Sequence, residues 1–492
     1  MAESCRTHLQ SSNHTLFGRK SAVAACSLVL IVETWMFLYC SKDWDLQLYH
    51  QYAQLVHESS LEEAYSRHTI EYPPLAVSLM LITDSIARQL PDCRAWSAAF
   101  PEYNRPRSFA NFKLVYRLEM AVITFAIFLL LLHLLQRCLP HEGSAERWER
   151  LLTFVLGLML LRHAAFDRLD TVVGALLLLA LGLMLSLRSA VWSFGVLALA
   201  IAFKIAPVAL APLWVIGSLP GALLAGTRTG GGWRRLLVSA GRRSLLLAVL
   251  TLACFVPFLL LAGPGCLAFF GYHRDRGIEY GSTYAALLDV LAYLTDFATT
   301  TRASHGSWDV QSSLSPVLTS LAPLLVGGLL LLATLLFLVT ARRAAAALPD
   351  AAGSARRLAC LCGPEFMGHQ LLVLLIFLFG NKVFSPQFVL WLYPLAALVP
   401  LSGWPRRLFQ GGFLGLCLVT AALNPRWMGA VVGEPSPRDP QVFSGPTAFG
   451  LALLLTRTLV LTGLLSALAL HLVRCPRRPC ACAERLGRAR DQ

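Results

Sequence analysis

Long apolar runs recur along the whole chain, and they constrain its fold more than any other feature of the sequence. A helix needs about 20 residues to cross the hydrocarbon core of a bilayer, and segment 21–40 reaches that length with Glu33 as its one charged residue. Of the 492 residues, 56% are apolar and 14% are charged, which is too little charge to cover the surface of a soluble protein. The chain is therefore predicted to be an all-α polytopic membrane protein.

We predict about twelve transmembrane helices, with boundaries that follow the apolar runs. The spans are 21–40, 73–89, 111–137, 148–163, 169–187, 190–216, 244–262, 314–341, 365–380, 384–401, 408–423 and 447–473. No small-residue cleavage site follows the first run, which is typical of a signal anchor. The chain has 42 Lys and Arg residues and 28 Asp and Glu residues. If the spans alternate across the membrane, most of the Lys and Arg residues lie in loops on the same side as the N-terminus. Basic residues favour the cytoplasmic side, so both ends are predicted to be cytoplasmic.

The same alternation leaves two long, non-helical loops on the outer face, at 41–72 and 263–313. Long loops in a compact protein are usually functional. The predicted units are a catalytic transmembrane module at 1–341, a cytoplasmic linker at 342–363, C-terminal transmembrane helices at 364–474 and a basic cytoplasmic tail at 475–492. Three of the 13 cysteines lie in the tail, but no fourth ligand stands at a suitable spacing, so no metal site is predicted there.

The first outer loop begins with an amphipathic pattern. In "LQLYHQYAQLVH" at 46–57, apolar and polar positions follow each other with helical spacing, so the segment is predicted to lie on the outer leaflet as an interfacial helix. Asp45 stands directly before it. Aspartate is a favoured N-cap, and a carboxylate at the membrane–water boundary can also act as a general base. The residues alone leave both interpretations open.

Three other groups of residues carry polar chemistry within or beside the predicted spans. Glu71 and Tyr72 precede a Pro-Pro pair that suits the first turn of a helix. "YHRDRGIEYGS" at 272–282 is dense in side chains that bind phosphate, although a solvated loop with local salt bridges would show the same pattern. Lys204 stands near the middle of a predicted span, where a role in a cavity is favoured. The alternatives are that its side chain snorkels to the membrane surface or pairs with an acid such as Glu33.

Signatures of several other enzyme classes are absent from the sequence. It contains no Walker loop, no GxGxxG after a predicted strand, no HExxH and no nucleophile elbow. The chemistry is therefore expected to depend on the polar groups near the membrane surface, and no cofactor is predicted.

Five stretches, taken in order, resemble the polyprenol-phosphate-mannose-dependent α-1,2-mannosyltransferases, which are glycosyltransferase family 87 of the GT-C superfamily. They are "DLQLYHQYA" at 45–53, "EYPPLA" at 71–76, "FKIAPVALAPLW" at 203–214, "YHRDRGIEYGS" at 272–282 and "SPQFVLWLYPLAAL" at 385–398. The resemblance spans most of the chain and implies a GT-C-type bundle. It also implies that a hexose, with mannose as the first expectation, moves from a polyprenyl-phosphate donor to a hydroxyl acceptor at the extracytoplasmic face, with inversion to an α product.

The resemblance implies roles for individual residues. Asp45 corresponds to the catalytic base, and the donor phosphate is expected to contact His273, Arg276 and Lys204. Further substrate contacts are expected from Tyr49, Glu71, Tyr72, Tyr272, Arg274, Glu279, Ser282 and Gln387. The implied partners are the lipid-linked donor, a glycolipid or glycan acceptor and membrane lipids, without metal, cofactor or nucleic acid. The implied location is a bacterial plasma membrane.

Two positions depart from the family pattern. Relatives show Arg-Gly-hydrophobic-Gln-hydrophobic-Glu-Ser after the Tyr-His pair, whereas this chain has Glu279 in place of the Gln and Gly281 in place of the Glu. The departure leaves the sugar open. Two other functions remain as alternatives: a polytopic transporter or lipid flippase, for which the sequence shows no internal repeat, and another transferase of polyprenyl-lipid-linked glycans.

Overall fold

In the computed structural model, the described part of the chain is a bundle of helices with one small β-sheet. The structure describes residues 19–39, 44–91, 107–139, 142–186, 190–219, 222–223, 232–346 and 354–474. The α-helices are α1 (Arg19–Tyr39), α2 (Trp44–Glu58), α3 (Leu61–Arg67), α4 (Pro74–Ala87), α5 (Arg107–Cys138), α6 (Ser144–Leu160), α7 (Arg162–Asp167), α8 (Asp170–Ser186), α9 (Ala190–Phe203), α10 (Ala211–Gly217), α11 (Gly232–Ala262), α12 (Ala268–Asp275), α13 (Thr283–Leu294), α14 (Ser315–Ala346), α15 (Ser354–Gly380), α16 (Tyr393–Ala397), α17 (Gly403–Ala421), α18 (Met428–Val432) and α19 (Ala448–Arg474). Short 3₁₀ turns cover Ala206–Leu210, Gly263–Leu267 and Pro386–Trp391, and a π turn covers Ala422–Arg426.

Five helical segments of the described chain are long and apolar enough to cross a membrane, as predicted for a helical membrane protein. They are Ser108–Cys138, Trp233–Asp275, Ser315–Ala345, Gly363–Gly380 and Ala448–Arg474. Shorter apolar helices cover Ser21–Met36, Pro74–Ala87, Asp170–Ser186, Ala190–Phe203, Ala206–Gly217 and Thr283–Leu294. The predicted count of twelve spans is not confirmed, and residues 384–401 form a 3₁₀ turn and the five-residue α16 rather than a continuous helix.

Prolines interrupt two of the predicted spans inside the bundle. After α9, Pro207 and Pro212 each lie in the first turn of the short helical segment that follows, because proline has no N–H to donate and suits that position. Pro386 begins the second interruption in the same way. Gly174 on α8 permits the close approach of this segment, since a Cβ there would lie 2.8 Å from the carbonyl oxygen of Leu390.

Residues 263–313, predicted to be a non-helical loop, are mostly regular structure. They contain a 3₁₀ turn, α12, α13 and the antiparallel strands β1 (Thr300–Ser304) and β2 (Ser307–Gln311). Strand β3 (Val442–Phe443) pairs with the other edge of β1. His305 and Gly306 join β1 to β2 with φ angles of 48° and 67°, which is the backbone conformation of a two-residue hairpin turn.

Helix α2 packs one face against the helical bundle. It lies against α4 and α5, and its buried side chains are Leu46, Tyr49, His50, Tyr52 and Ala53. His50 was expected on the polar face, but its ring is buried and its Nε2 lies 3.5 Å from Oδ1 of Asp84. The predicted helix is present and its apolar positions are buried or partly buried, but His50 of the predicted polar face is buried as well. The position of the helix on the outer leaflet stays a prediction.

The predicted linker at 342–363 is helical wherever it is described. Residues 342–346 complete α14 and residues 354–363 begin α15. The two helices pack along each other, and one continuous apolar core includes Phe337 before the linker and Phe366 after it. The tail at 475–492 and Asp43 lie outside the described residues.

One ion pair bears directly on the predicted topology. Arg168, which follows α7, pairs with Asp45 in the first turn of α2. Twelve alternating spans would place the loop at 41–72 and residues 164–168 on opposite sides of the membrane. Because the two partners of an ion pair lie on one side, the predicted alternation is wrong for this part of the chain.

Candidate functional site

A cavity of about 350 Å³ brings together segments that are far apart in the sequence. The first turn of α2, the residues before α4, the break after α9 and the end of α12 form part of its wall. The tip of the β1–β2 hairpin and the break at residues 385–388 complete it. The predicted site residues that line this cavity are Asp45, Glu71, Tyr72, Lys204, Tyr272, His273, Arg276, Glu279 and Gln387.

Asp45 presents a carboxylate at one side of the cavity. It is the second residue of α2, so the interpretation of Asp45 as the N-cap is wrong, although an acid in the first turn still interacts favourably with the helix dipole. Burial raises the pKa of Asp45 above the ordinary aspartate value, while the charge of Arg168 partly offsets that increase. The carboxylate is thus held in place by a cation and is a stronger base than a solvated aspartate.

Lys204 lies at the break after α9, and its side chain is 17% exposed, toward the cavity. Its Nζ donates to Oδ1 and Oδ2 of Asp170, at 2.7 and 2.9 Å. Trp391 donates from Nε1 to the same carboxylate at 2.8 Å, and Nζ lies 4.8 Å from the centre of the Phe388 ring. Lys204 therefore lines the cavity, as favoured, and also pairs with an acid, which is Asp170 and not the suggested Glu33.

Arg276 follows α12, and its guanidinium group is buried in the cavity wall. Lys382 donates from Nζ to the carbonyl oxygen of Arg276 and, at 2.9 Å, to that of Arg274. Burial lowers the pKa of Arg276, but the surrounding acidic groups, Glu279 foremost, raise it further, so the pKa lies above its ordinary value. The side chain is a permanent cation, and Lys382 holds the backbone carbonyl oxygen of Arg276 in position.

Tyrosines surround the carboxylate end of the cavity. The hydroxyl of Tyr72 lies 3.3 Å from the hydroxyl of Tyr49, and Tyr65 donates to the carbonyl oxygen of Tyr72 at 3.2 Å. Burial raises the pKa of Tyr72 well above the ordinary tyrosine value, so its phenol stays neutral and can donate a hydrogen bond. Across the cavity, Tyr272 donates to the carbonyl oxygen of His305, which ties α12 to the hairpin tip.

Three predicted substrate contacts do not line the cavity. Tyr49 is fully buried behind Tyr72. The Arg274 side chain is 81% exposed and pairs with its neighbour Asp275 at 2.9 Å. Ser282 is the N-cap of α13, and its hydroxyl accepts from the amide of Ala285 at 3.1 Å. Tyr49 thus contacts a residue of the cavity wall, whereas the side chains of Arg274 and Ser282 have partners outside the cavity.

Several cavity residues were missed at the sequence level. They are Tyr52, Arg168, Tyr280, His305, Ser307, Trp308, Ser385 and Asn424. Arg168 and Asp170 flank the start of a predicted span, and charges beside an apolar run usually mark no more than a membrane boundary. The hairpin residues carry no local motif, because only the fold of 263–313 brings them to the cavity.

The cavity thus combines a held carboxylate, Asp45, with the cations Lys204 and Arg276. Such an arrangement can bind a phosphate through charge-assisted hydrogen bonds and accept a proton at a separate point. Within the described residues, no group of three His, Cys, Asp or Glu side chains is arranged to hold a metal ion. A comparison of the sequence with protein-family models and with curated proteins gave no match.

Proposed function

We propose that the protein is an integral-membrane glycosyltransferase that moves a hexose from a polyprenyl-phosphate donor to a hydroxyl acceptor. The observation that carries the proposal is the placement of Asp45, Lys204 and Arg276 on the wall of one cavity. This placement supports the sequence resemblance to family 87 glycosyltransferases, since residues from all five similar stretches line the same cavity.

The cationic part of the wall suits the phosphate of the donor. Arg276 offers a planar set of N–H donors, and Lys204 offers a compact charge whose orientation is fixed by Asp170. His273 lines the cavity beside them. These groups would stabilise the negative charge that grows on the phosphate as the sugar leaves, because fixed donors need little reorganisation during the reaction.

Asp45 supplies the base for the acceptor. Its carboxylate takes the proton of the acceptor hydroxyl while that oxygen forms a bond to the anomeric carbon of the hexose. The bond from the anomeric carbon to the phosphate oxygen breaks, and the polyprenyl phosphate leaves with the electron pair. Attack from the side opposite the phosphate inverts the anomeric centre, so a β-linked donor gives an α-linked product.

The apolar helices around the cavity suit a lipid-linked donor. The polyprenyl chain would lie between helices, while the sugar phosphate enters the polar cavity. Mannose is the first candidate for the hexose, a glycolipid or glycan is the acceptor, and the extracytoplasmic side of a bacterial plasma membrane is the proposed place of reaction. The chain's own side chains perform these steps, and no cofactor takes part in them.

A transfer assay with paired aspartate variants tests the proposal. Membranes containing the wild type, Asp45→Asn or Asp43→Asn are incubated with radiolabelled polyprenyl-phosphate mannose and a mixed glycolipid pool. We expect the wild type and Asp43→Asn to transfer, and Asp45→Asn to lose about 100-fold or more of the rate, which is the usual contribution of a general base. Equal transfer by all three proteins would show that Asp45 is not the base.

A further inference from the structure

Glu279 is a buried carboxylate in the cavity wall, and among the described residues only one of its two oxygens has hydrogen-bond partners. Its Oε1 accepts from the hydroxyls of Ser307 and Ser385, at 3.0 and 3.1 Å. Nη2 of Arg276 lies 3.6 Å from the same oxygen. Oε2 has no hydrogen-bond partner among the described residues. The side chain is therefore fixed by one oxygen, and the other oxygen is left for something else.

The backbone around Glu279 is fixed as well. Its amide donates to the carbonyl oxygen of Lys382 at 2.9 Å, and it forms an isolated antiparallel bridge with Asp309 of β2. The next amide, that of Tyr280, donates to the carbonyl oxygen of Trp308 at 2.9 Å. Two segments of the fold, strand β2 and the residues around Lys382, thus hold the backbone of Glu279 in one position, which is the preorganisation that a recognition site requires.

Two further polar atoms of residues that line the cavity lack partners among the described residues. They are Nε1 of Trp308 and Nε of Arg276, and both side chains line the same cavity. A buried polar atom without a hydrogen bond destabilises the protein, so a ligand that satisfies all three atoms would gain affinity. Such a ligand must donate to a carboxylate and accept from an indole and a guanidinium group. Hydroxyl groups on one ring do both.

The nearby charges indicate which ring this is. Glu279 adjoins Arg276, which is proposed to hold the donor phosphate, whereas Asp45 is proposed to receive the acceptor hydroxyl. The sugar joined directly to the phosphate is the donor hexose. We propose that Glu279 accepts a hydrogen bond from a ring hydroxyl of the donor hexose and so selects the sugar that is transferred. This inference rests on the proposed function.

Glu279 has a second potential role, as a counter-ion that only positions Arg276. At 3.6 Å the two groups are too far apart for a normal hydrogen bond, and the serine hydroxyls already occupy the oxygen nearest the guanidinium group. The two roles predict opposite effects on phosphate binding. Loss of a positioning carboxylate would weaken the binding of phosphate, whereas loss of a sugar-reading carboxylate would leave it unchanged or strengthen it by removing a negative charge.

Equilibrium binding of short-chain prenyl-phosphate sugars to the purified full-length protein in detergent separates the two roles. The probes are prenyl-phosphate mannose, glucose and galactose, together with prenyl phosphate without a sugar. We expect the wild type to prefer one hexose by about 10- to 100-fold, the usual strength of a hydrogen bond to a charged group. In Glu279→Ala the ratio of the affinities for the preferred and the other hexoses falls toward one. Prenyl phosphate without a sugar binds at least as tightly as in the wild type.

Two further variants complete the test. Glu279→Gln keeps the shape of the side chain without its charge, so the sugar preference falls several-fold while the fold is retained. Asp289→Asn alters a buried carboxylate of α13 that does not line the cavity, and it keeps the wild-type preference. The inference is overturned if the sugar ratio is the same in Glu279→Ala as in the wild type, or if the variant loses affinity for prenyl phosphate.

Transfer by the wild type is scored in parallel, so that the two proposals fail separately. Sugar discrimination that depends on Glu279, in a protein that transfers no hexose, supports the sugar subsite and contradicts the transferase. Transfer with a sugar preference that does not depend on Glu279 supports the transferase and overturns the subsite.

Discussion

Arg168 forms an ion pair with Asp45 and thereby joins the segment after α7 to the first turn of α2. The guanidinium charge opposes the effect of burial on the carboxylate, whose pKa nevertheless lies above the ordinary aspartate value. In the proposed mechanism, this one contact sets both the position and the basicity of the catalytic group.

The pH dependence of the transfer rate should show the effect of Arg168 on the pKa of Asp45. Because the ionised form of Asp45 is the base, the rate falls as the pH drops through its raised pKa and is constant above it. Arg168→Gln removes the charge that lowers this pKa, so the acid limb moves to higher pH, by about one pH unit or more. The measurement is kcat/KM against pH for both proteins, and a limb that moves to lower pH would contradict the assignment.

Variants of Lys204 and Asp170 distinguish the contribution of this ion pair to stability from its contribution to transfer. Lys204→Met leaves the Asp170 carboxylate, which is 2% exposed, without its cation, at a cost of about 3 kcal/mol. Adding Asp170→Asn removes the buried charge and restores most of the thermal stability, but transfer stays low because the phosphate ligand is still missing. Thermal unfolding and transfer are measured on both variants. Recovery of transfer in the double variant would assign Lys204 a purely structural role.

Two neighbouring arginines provide a matched comparison. Arg276→Gln removes a buried cation of the cavity wall, so we expect KM for the lipid-phosphate donor to rise by about 10-fold or more. Arg274→Gln removes an exposed side chain that pairs with Asp275, and an exposed pair contributes little. Donor titrations of the two variants check the expectation, which fails if the two substitutions raise KM equally.

Two glycines near the cavity differ in the space around them. A Cβ on Gly277 would lie 2.8 Å from Oδ2 of Asp309, which accepts from the Gly277 amide at 3.1 Å. We expect Gly277→Ala to displace this contact and to lower transfer with little loss of helix content. Gly271→Ala, in α12, meets nothing within 4 Å and should keep the wild-type rate. Circular dichroism and transfer rates test both, and equal rates would show that the segment tolerates displacement.

The sequence predicted much of the cavity and less of the fold. Asp45, Lys204 and Arg276 were identified from their polar character beside apolar runs and from the family resemblance, and the structure brings them to one cavity. The helical membrane class followed from apolar content. A local sequence pattern shows only the neighbours of a residue along the chain. For these three side chains, those neighbours were enough to predict a place in the functional site.

The remainder depends on contacts between distant segments. The sequence could not identify Asp170 as the partner of Lys204, because 34 positions separate the two residues. Only the fold brings the start of α8 next to the break after α9. The hairpin at 300–311 was missed because its turn uses His305 in a positive-φ conformation, which non-glycine residues seldom adopt. The predicted count of twelve spans is not confirmed, and prolines interrupt two of those spans, because apolar length alone does not reveal an interruption.

The most direct measurement of the central claim uses purified protein, polyprenyl-phosphate mannose labelled in the sugar, and glycolipid acceptors. Released polyprenyl phosphate is quantified together with the glycoside formed, and the anomeric configuration of the product is read by NMR. We predict one polyprenyl phosphate for each glycoside, release that depends on the acceptor, and an α-linked product from a β-linked donor. Acceptor-dependent transfer with a retained β linkage, or no release from any polyprenyl-phosphate hexose, would contradict the proposed inverting transferase.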